Sequence, residues 1–566
     1  KPVNVSVEGV HQLELVADKG DDAISYDHAD WCDVVLTDKD GKKVNLSTLK
    51  PASASQDWGA LNTNRSVDKN PLRVGGKEYK TGFGTHANGR LIFNLDGKYK
   101  TLEGFAGVDE EEKEKGTGTV RFIVKTAKPQ KEAKIHAALA PRKDGRGLAV
   151  TKTPDKSPWR IIIVAPKAIN LVDQTIVMNV SEPTNPNADW TWIQPGSASW
   201  DWWSDSNANM STKSVKPFID FAAEMGWQYH FVDDPWYAGK KYRMGDPRNN
   251  VLKGSDETDI EELVKYAKEK NIRLFLWLNW KDIDRQMDEA FAQYEKWGIA
   301  GVKIDFMDRD DQEMVEWYDK TVKKAAQHKL LVDFHGAYKP TGYRRTYPNL
   351  ITREGIHGNE QNKWTKLTPE HYCTQPYTRL MLGPGDFTPG AFLNRHYGGK
   401  AVEGFKTAQG IGTRAHELAI SFLYDSPIRC LCDSPEVYKK DSAGLDYYRG
   451  LPTVWDESKG VAGEVGEYFS LVRRSGNDWY YGAITNEESR TLTVPLTFLG
   501  RGRYEATIYA DTPETDEDAR KIAVKKVMVN SSGVLSVKLA KEGGQVIVFE
   551  KLDDRQRRQL RNIFRR

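Results

Sequence analysis

Three polar residues in one short stretch carry the strongest chemical signal of the chain. In Gly301-Val-Lys-Ile-Asp-Phe-Met-Asp308 the apolar Val302, Ile304 and Met307 suit a strand buried on both faces, whereas Lys303, Asp305 and Asp308 need a polar pocket or a charge partner. Polar residues at the C-terminal end of a barrel strand belong to an active site more often than to the scaffold. The competing reading makes Asp305 a cap for the helix starting near Asp310, or the partner of Lys303 in a structural ion pair. A second source of carboxylates is Ile351-Thr-Arg-Glu-Gly-Ile-His-Gly-Asn-Glu360, which offers Glu354 and Glu360. Two carboxylates facing one cleft are sufficient for glycoside hydrolysis, although an isolated loop glutamate is usually a solvated charge.

The elements that must position these residues alternate in type from about residue 197. Ser199-Trp-Asp-Trp-Trp203 precedes a helical run over 213–225, and Tyr229-His-Phe-Val-Asp-Asp234 precedes one over 257–270, where Ile260, Leu263 and Val264 recur at helical spacing. Then come Ile272–Leu278 with helix 282–297, the Lys303 strand with helix 310–328, Leu330–His335, Leu350–Glu354, Thr378–Leu382, a helix around 412–424, and Ile428–Asp433. Eight strand candidates predict a (β/α)8 barrel over 197–435. Several strands end in polar or aromatic groups, namely Asp201, Trp203, Asp233, Asp234, Trp277, Asn279, Asp305, His335 and Glu354, a ring that points to a polar mouth. Trp203, Trp236 and Trp277 are candidates for stacking on a sugar, with barrel packing as the rival role. His335 is expected to meet either a sugar hydroxyl or a backbone carbonyl.

The flanks read differently. Residues 1–126 show short alternating segments separated by turn residues and predict a β-sandwich, as do 436–551. Between them, 127–196 reads as a linker followed by two strand-like pieces, Trp159–Val164 and Ile176–Val180, at the edge of a sandwich. The basic tail, 552–566, reads as a solvated terminal helix. Across 566 residues 82 Lys and Arg nearly cancel 80 Asp and Glu, which argues against a nucleic-acid partner. The four cysteines lack metal-ligand or disulfide spacing, no apolar run is long enough for a membrane span, and no signal peptide is read at the start, Lys1.

Several ordered stretches resemble glycoside hydrolase family 97: Trp159–Val164, Ser199–Trp203, Gly301–Asp308, Asp333-Phe-His-Gly336 with Lys339-Pro-Thr-Gly342, Arg353–Glu360, and Tyr377–Gly390. The run from Trp58 through Gly82-Phe-Gly-Thr-His-Ala87 to Asp109 resembles the NPCBM module, a jelly-roll sandwich thought to bind carbohydrate, in which His86 is expected to be structural. The resemblance implies an α/β plus all-β multidomain protein, a central TIM barrel flanked by N- and C-terminal β-sandwiches. It also implies a branch. Inverting members carry a glutamate after the histidine of the fifth strand and lack an Asp equivalent to Asp305, whereas this chain has His335-Gly336 and Asp305. The retaining branch follows, with α-galactosidase among its activities. By resemblance Asp305 is the nucleophile and Glu360 the general acid/base, while Lys303, His335, Trp203, Asp234 and Trp277 contact the substrate. A Ca2+ ion beside the site takes Glu354 as a ligand, but the family's large N-terminal sandwich, which supplies another, is reduced here to its last strands, about 133–180. The expected partner is an oligosaccharide or glycan, and the expected location secreted or periplasmic; the oligomeric state is left open. An α-glucosidase, a β-L-arabinopyranosidase and a non-catalytic carbohydrate-binding protein are the alternatives.

Overall fold

The computed structural model describes residues 1–19, 26–111, 118–128, 139–152, 158–203, 210–237, 243–365, 367–402 and 408–552. The chain forms two compact units, 1–138 and 139–566. In the first, antiparallel strands build two sheets. One runs in the order Pro2–Ser6, Tyr99–Val108, His28–Asp38, Gly82–His86 and Asn62–Thr63, with Lys43–Asn45 beside His28–Asp38. The other runs Arg121–Ala127, Gln12–Asp18, Gly89–Asn94 and Ser53–Ser55. Alternation along the strands turns Leu13, Leu15, Trp31, Leu36, Phe83, Leu91, Phe93 and Leu102 into one apolar core. His86 is buried, with Nδ1 2.8 Å from the Ala87 carbonyl.

The second unit holds a parallel sheet of seven strands: β1 (Gly196–Trp200), β2 (Tyr229–Val232), β3 (Arg273–Asn279), β4 (Gly301–Asp305), β5 (Leu331–Phe334), β6 (Leu350–Arg353) and β7 (Ile428–Leu431). They are hydrogen-bonded in the order β6-β5-β4-β3-β2-β1-β7. Helices α1 (Thr212–Met225), α2 (Ile260–Glu269), α3 (Trp280–Trp297), α4 (Gln312–Gln327) and α5 (Arg414–Leu423) cover this ring. All ten residues of α5 are buried, because the barrel lies on one side and the C-terminal sheet on the other.

The eighth strand expected at Thr378–Leu382 does not form; Gln375–Tyr377 and Leu380–Leu382 are 3-10 turns. Irregular chain closes the ring further on. Gly385 N–H donates to the Asp425 carbonyl at 2.9 Å and Asp386 N–H to that of Arg353 at 3.0 Å, while the Pro389 carbonyl accepts from Cys432 at 2.9 Å. The physical reason lies in Arg379, whose buried guanidinium turns back onto the carbonyls of Arg353, Glu354, Gly355, Gly383 and Pro384. An arginine turned inward onto five carbonyls fixes the chain as firmly as a ladder would, and Pro384 and Pro389 have no N–H to give one.

The two strands expected near the start of this unit are also absent. Ile176–Asn179 is one short α-helical turn, and Trp159–Val164 is irregular, with Trp159, Ile162 and Val164 exposed by 75%, 71% and 87%. Strand-like residues make a strand only where another strand takes up their N–H and C=O groups, and no described sheet reaches them. Beyond the barrel, Glu457–Glu464, Tyr468–Ser475, Asp478–Thr485, Gly544–Lys551, Tyr504–Ala510 and Ala523–Val529 form a six-stranded sheet in that order. Arg490–Pro495 pairs with Val534–Leu539 to cover its far face around Tyr481, Leu496, Ile547 and Phe549. The expected tail beyond Leu552, and the start of the expected linker at 129–138, lie outside the described residues.

Candidate active site

The polar residues singled out in the sequence meet where the strands of the ring end. Asp305 closes β4, and its two oxygens are fixed by different donors: the Trp277 indole Nε1–H reaches Oδ2 at 3.1 Å and the Phe306 N–H reaches Oδ1 at 2.6 Å. Asp305 does not cap α4, whose N-cap is Asp311. It is not the partner of Lys303 either. Lys303 points to the barrel interior, with Nζ 3.1 Å from Asp233 Oδ2 and 4.3 Å from the centre of the Trp200 ring. Asp233 also accepts from Trp200 Nε1 at 2.7 Å. Burial alone would lower the Lys303 ammonium, but Asp233, Glu360 and Asp386 raise it well above its ordinary value, so it stays charged.

The turn after β4 is unusual: Phe306 and Asp308 have φ of 65° and 46°, a region that side chains other than glycine seldom enter. Asp308 N–H donates to the Gly336 carbonyl at 2.8 Å. A Cβ at Gly336, itself at φ +53°, would lie 2.9 Å from Phe306 N and 3.0 Å from Asp308 Oδ1. The turn that presents Asp305 therefore occupies the room a side chain at 336 would need.

His335 follows β5 and is buried between carboxylates. Its Nε2–H donates to Asp386 Oδ2 at 2.8 Å, whereas Nδ1 faces Glu354 Oε1 at 3.8 Å and Glu360 Oε2 at 3.9 Å. Burial and Lys303 oppose its protonation, but Glu354, Asp333 and Asp386 outweigh them and raise His335 well above the usual range. Behind it, burial and the Asp386 charge raise Asp333 far above a normal carboxylate, which favours its protonated form. Glu354 receives the Gly336 N–H on Oε2 at 2.7 Å. Glu360 stands on a short 3-10 helix, Asn359–Lys363. Burial, with help from Glu354 and Asp305 and against Lys303 and His335, pushes its carboxyl up to about 7. Asn359 holds this helix down: its amide donates at 2.9 Å to Glu417 Oε1 on α5, an oxygen that also accepts from Gly390 and Ala391 N–H at 2.6 and 3.2 Å.

The structure thus brings Lys303, Asp305, His335, Glu354, Glu360 and Trp277 together. Asp234 lies at their rim, its Oδ1 buried without a partner among the described residues and its carboxyl pushed up to about 7 by burial and by Asp233. Trp203 is placed differently: it is fully buried in a packing cluster with Trp200, Tyr229 and Cys432. Trp236 is core as well, donating to the Trp277 carbonyl at 2.6 Å. Asp333, Asp386, Arg379 and Glu417 were not singled out by sequence reasoning. The ring of strand ends includes Asp233, but Asp386 sits on a segment with no periodicity to read, and Glu417 hides inside an apolar helix pattern.

A cavity of about 970 Å³ opens beside Glu354, lined by Asp308, Tyr338, Lys339, His357, Gln361 and Arg379 among others. Glu354, Glu360 and His335 each offer one ligand atom, and these lie within 4.8 Å of one another. The two carboxylate oxygens suit a hard cation, the imidazole does not, and the cavity has room for water to complete a coordination shell.

Residues 190–356 match glycoside hydrolase 97, residues 454–550 match the glycosyl-hydrolase 97 C-terminal, oligomerisation domain, and residues 1–37 with 42–138 match the NPCBM/NEW2 domain. A retaining alpha-galactosidase of Bacteroides thetaiotaomicron is 33% identical over 407 residues, 70% of this chain and 60% of that protein. A probable retaining alpha-galactosidase of Streptomyces bingchenggensis is 33% identical over 392 residues, 69% of this chain and 57% of that protein. The chain therefore spans less than two thirds of the length of either relative. Among solved structures, a glycoside hydrolase family 97 enzyme from Pseudoalteromonas sp. strain K8 in complex with acarbose superposes with a TM-score of 0.63 at 25% identity, covering 98% of this chain and 84% of that one. A beta-arabinopyranosidase shares the fold at a TM-score of 0.58 and 18% identity, over 95% of this chain and 78% of its own.

Proposed function

The chain belongs to glycoside hydrolase family 97, with the family's catalytic and C-terminal domains behind an NPCBM domain, and from that membership we propose that it is a retaining, exo-acting α-galactosidase. The observation that carries the reading is the turn after β4, which presents Asp305 and fills the space beside Gly336 where an inverting member would place its base. Both curated relatives are named as retaining or probable retaining alpha-galactosidases.

In this mechanism Asp305, oriented by Trp277 and Phe306, attacks the anomeric carbon as Glu360 gives its proton to the leaving oxygen. The carbon–oxygen bond to the leaving group breaks and an ester to Asp305 forms. Glu360, now a carboxylate, takes a proton from water; the water oxygen bonds to the anomeric carbon and Asp305 is released, so two inversions restore the α configuration. A carboxyl with a value of about 7 holds its proton in the first step and accepts one in the second. Lys303 and protonated His335 set positive charge against the acidic groups of the mouth and have hydrogens to offer sugar hydroxyls.

Glu354 is the residue that would hold a calcium ion, with water from the cavity completing its roughly six to eight oxygens. When bound, the ion would supply positive charge beside Glu354. Calcium is then expected to raise the melting temperature relative to EDTA, by about 2.7 kcal/mol of stability at a hundredfold excess over its Kd, and Glu354→Gln to remove the effect.

The test of the activity is a panel of nitrophenyl α-galactoside, α-glucoside and β-L-arabinopyranoside, with the released anomer followed by proton NMR. The expected result is α-galactose released first from the α-galactoside, with hydrolysis abolished in Asp305→Asn. Initial release of the β-anomer would mean direct attack by water, and silence on all three would leave a carbohydrate-binding protein.

A further inference from the structure

The exposed aromatic surface beside Glu360 has no role in the chemistry described so far. Trp364 is the residue at the C-terminal end of the same 3-10 helix, and 63% of it is open to solvent. An indole left open forgoes a large gain from burial, which marks it as a candidate contact for a ligand.

Its position is fixed. The Trp364 ring packs at 5.9 Å and 45° against Trp202, Trp202 stacks at 5.6 Å and 22° on Trp200, and Trp200 lies under the Lys303 ammonium. Three indoles thus run from the barrel interior out to the surface. The Lys363 ammonium sits 3.3 Å above the Trp202 ring and donates to the Trp202 carbonyl at 2.7 Å. These two Lys363 contacts, with the Trp364–Trp202 packing, tie the helix that carries Glu360 to the chain leaving β1.

We propose that Trp364, backed by Trp202, is the binding platform for the neutral sugar on the leaving-group side of the scissile bond. This rests on the glycosidase reading of the same site. A general acid protonates the oxygen between the two sugars, so the departing sugar lies against the element that carries the acid. The C–H face of a hexose is apolar and flat enough to lie on an indole, and the platform needs no charge to recognise it. The substrate class that follows is an α-galactosyl oligosaccharide whose penultimate sugar is itself read.

The experiment compares kcat/KM for a disaccharide of α-galactose linked to glucose with that for methyl α-galactoside, whose leaving group needs the same proton from Glu360 but has no ring to lie on Trp364. In Trp364→Ala the ratio of the two is expected to fall about tenfold, and in Trp364→Phe to recover most of the loss. No loss on either substrate overturns the proposal, and an equal loss on both, with the ratio unchanged, overturns it too and makes Trp364 a prop for the Glu360 helix. An unchanged ratio together with a lower mass by sedimentation would instead give this face to a second copy of the chain. Wild-type protein inactive on both substrates overturns the hydrolase reading, and this subsite with it.

Discussion

Lys303 and Asp305 are two positions apart on one strand, so the period of a β-strand turns both toward the barrel interior and made them legible in the sequence. Glu354 and His335 were legible in the same way, as polar residues just past strand ends, whereas Glu360, on a 3-10 helix further along, stood out only as a loop glutamate whose role came from the family resemblance. Asp333 and Asp386 show what sequence spacing hides. Each is an unremarkable acid in its own segment, and only the closing of the ring places them in one buried group with His335. At this scale the proposed mechanism places the pH dependence on Glu360. Its acid form is needed at the leaving oxygen, and its value near 7 means that kcat/KM for a galactosyl disaccharide should decline as the pH rises through about 7. Glu360→Gln should lose about 10²–10³ in rate on the disaccharide and far less on α-galactosyl fluoride, which needs no acid; pH–rate profiles of both substrates check this. Asp386→Asn should weaken substrate binding through His335, seen as a raised KM larger than any change in kcat.

Among the elements, seven parallel strands and their covering helices followed from periodicity, since a strand buried on both faces or a helix with one apolar stripe writes its own pattern. The eighth position did not, because it is held by a guanidinium and by scattered backbone hydrogen bonds instead of a ladder. Trp159–Val164 failed for the opposite reason: its residues are strand formers, but a strand is a property of two chains side by side. Helix α5 has a consequence of its own. Through Glu417 it ties the Glu360 helix and the Gly390–Ala391 backbone to a single carboxylate oxygen. Glu417→Ala leaves three buried donors unsatisfied and should cost on the order of 3 kcal/mol, together with a drop in kcat as Asn359 is released. Glu417→Gln keeps an acceptor at that point and should restore both the melting temperature and most of kcat; equal damage in the two variants would show that only the charge mattered.

For the whole molecule, two units with separate apolar cores should unfold separately, and differential scanning calorimetry is expected to resolve two transitions, with the upper or lower one reproduced by residues 1–138 expressed alone. Calcium should move only the transition that contains Glu354. A near-neutral charge balance gives the chain little electrostatic protection against self-association. That matters because of the bare segment Trp159–Val164, whose Ile162 and Val164 have no sheet over them among the described residues. A short, exposed run of β-branched and aromatic residues outside every described sheet is a seed for cross-β stacking and an easy target for proteases. The expected practical outcome is that preparations cloud on concentration or are nicked near residue 160, which light scattering and limited proteolysis check, and that lysines at 162 and 164 lengthen storage life without touching the barrel.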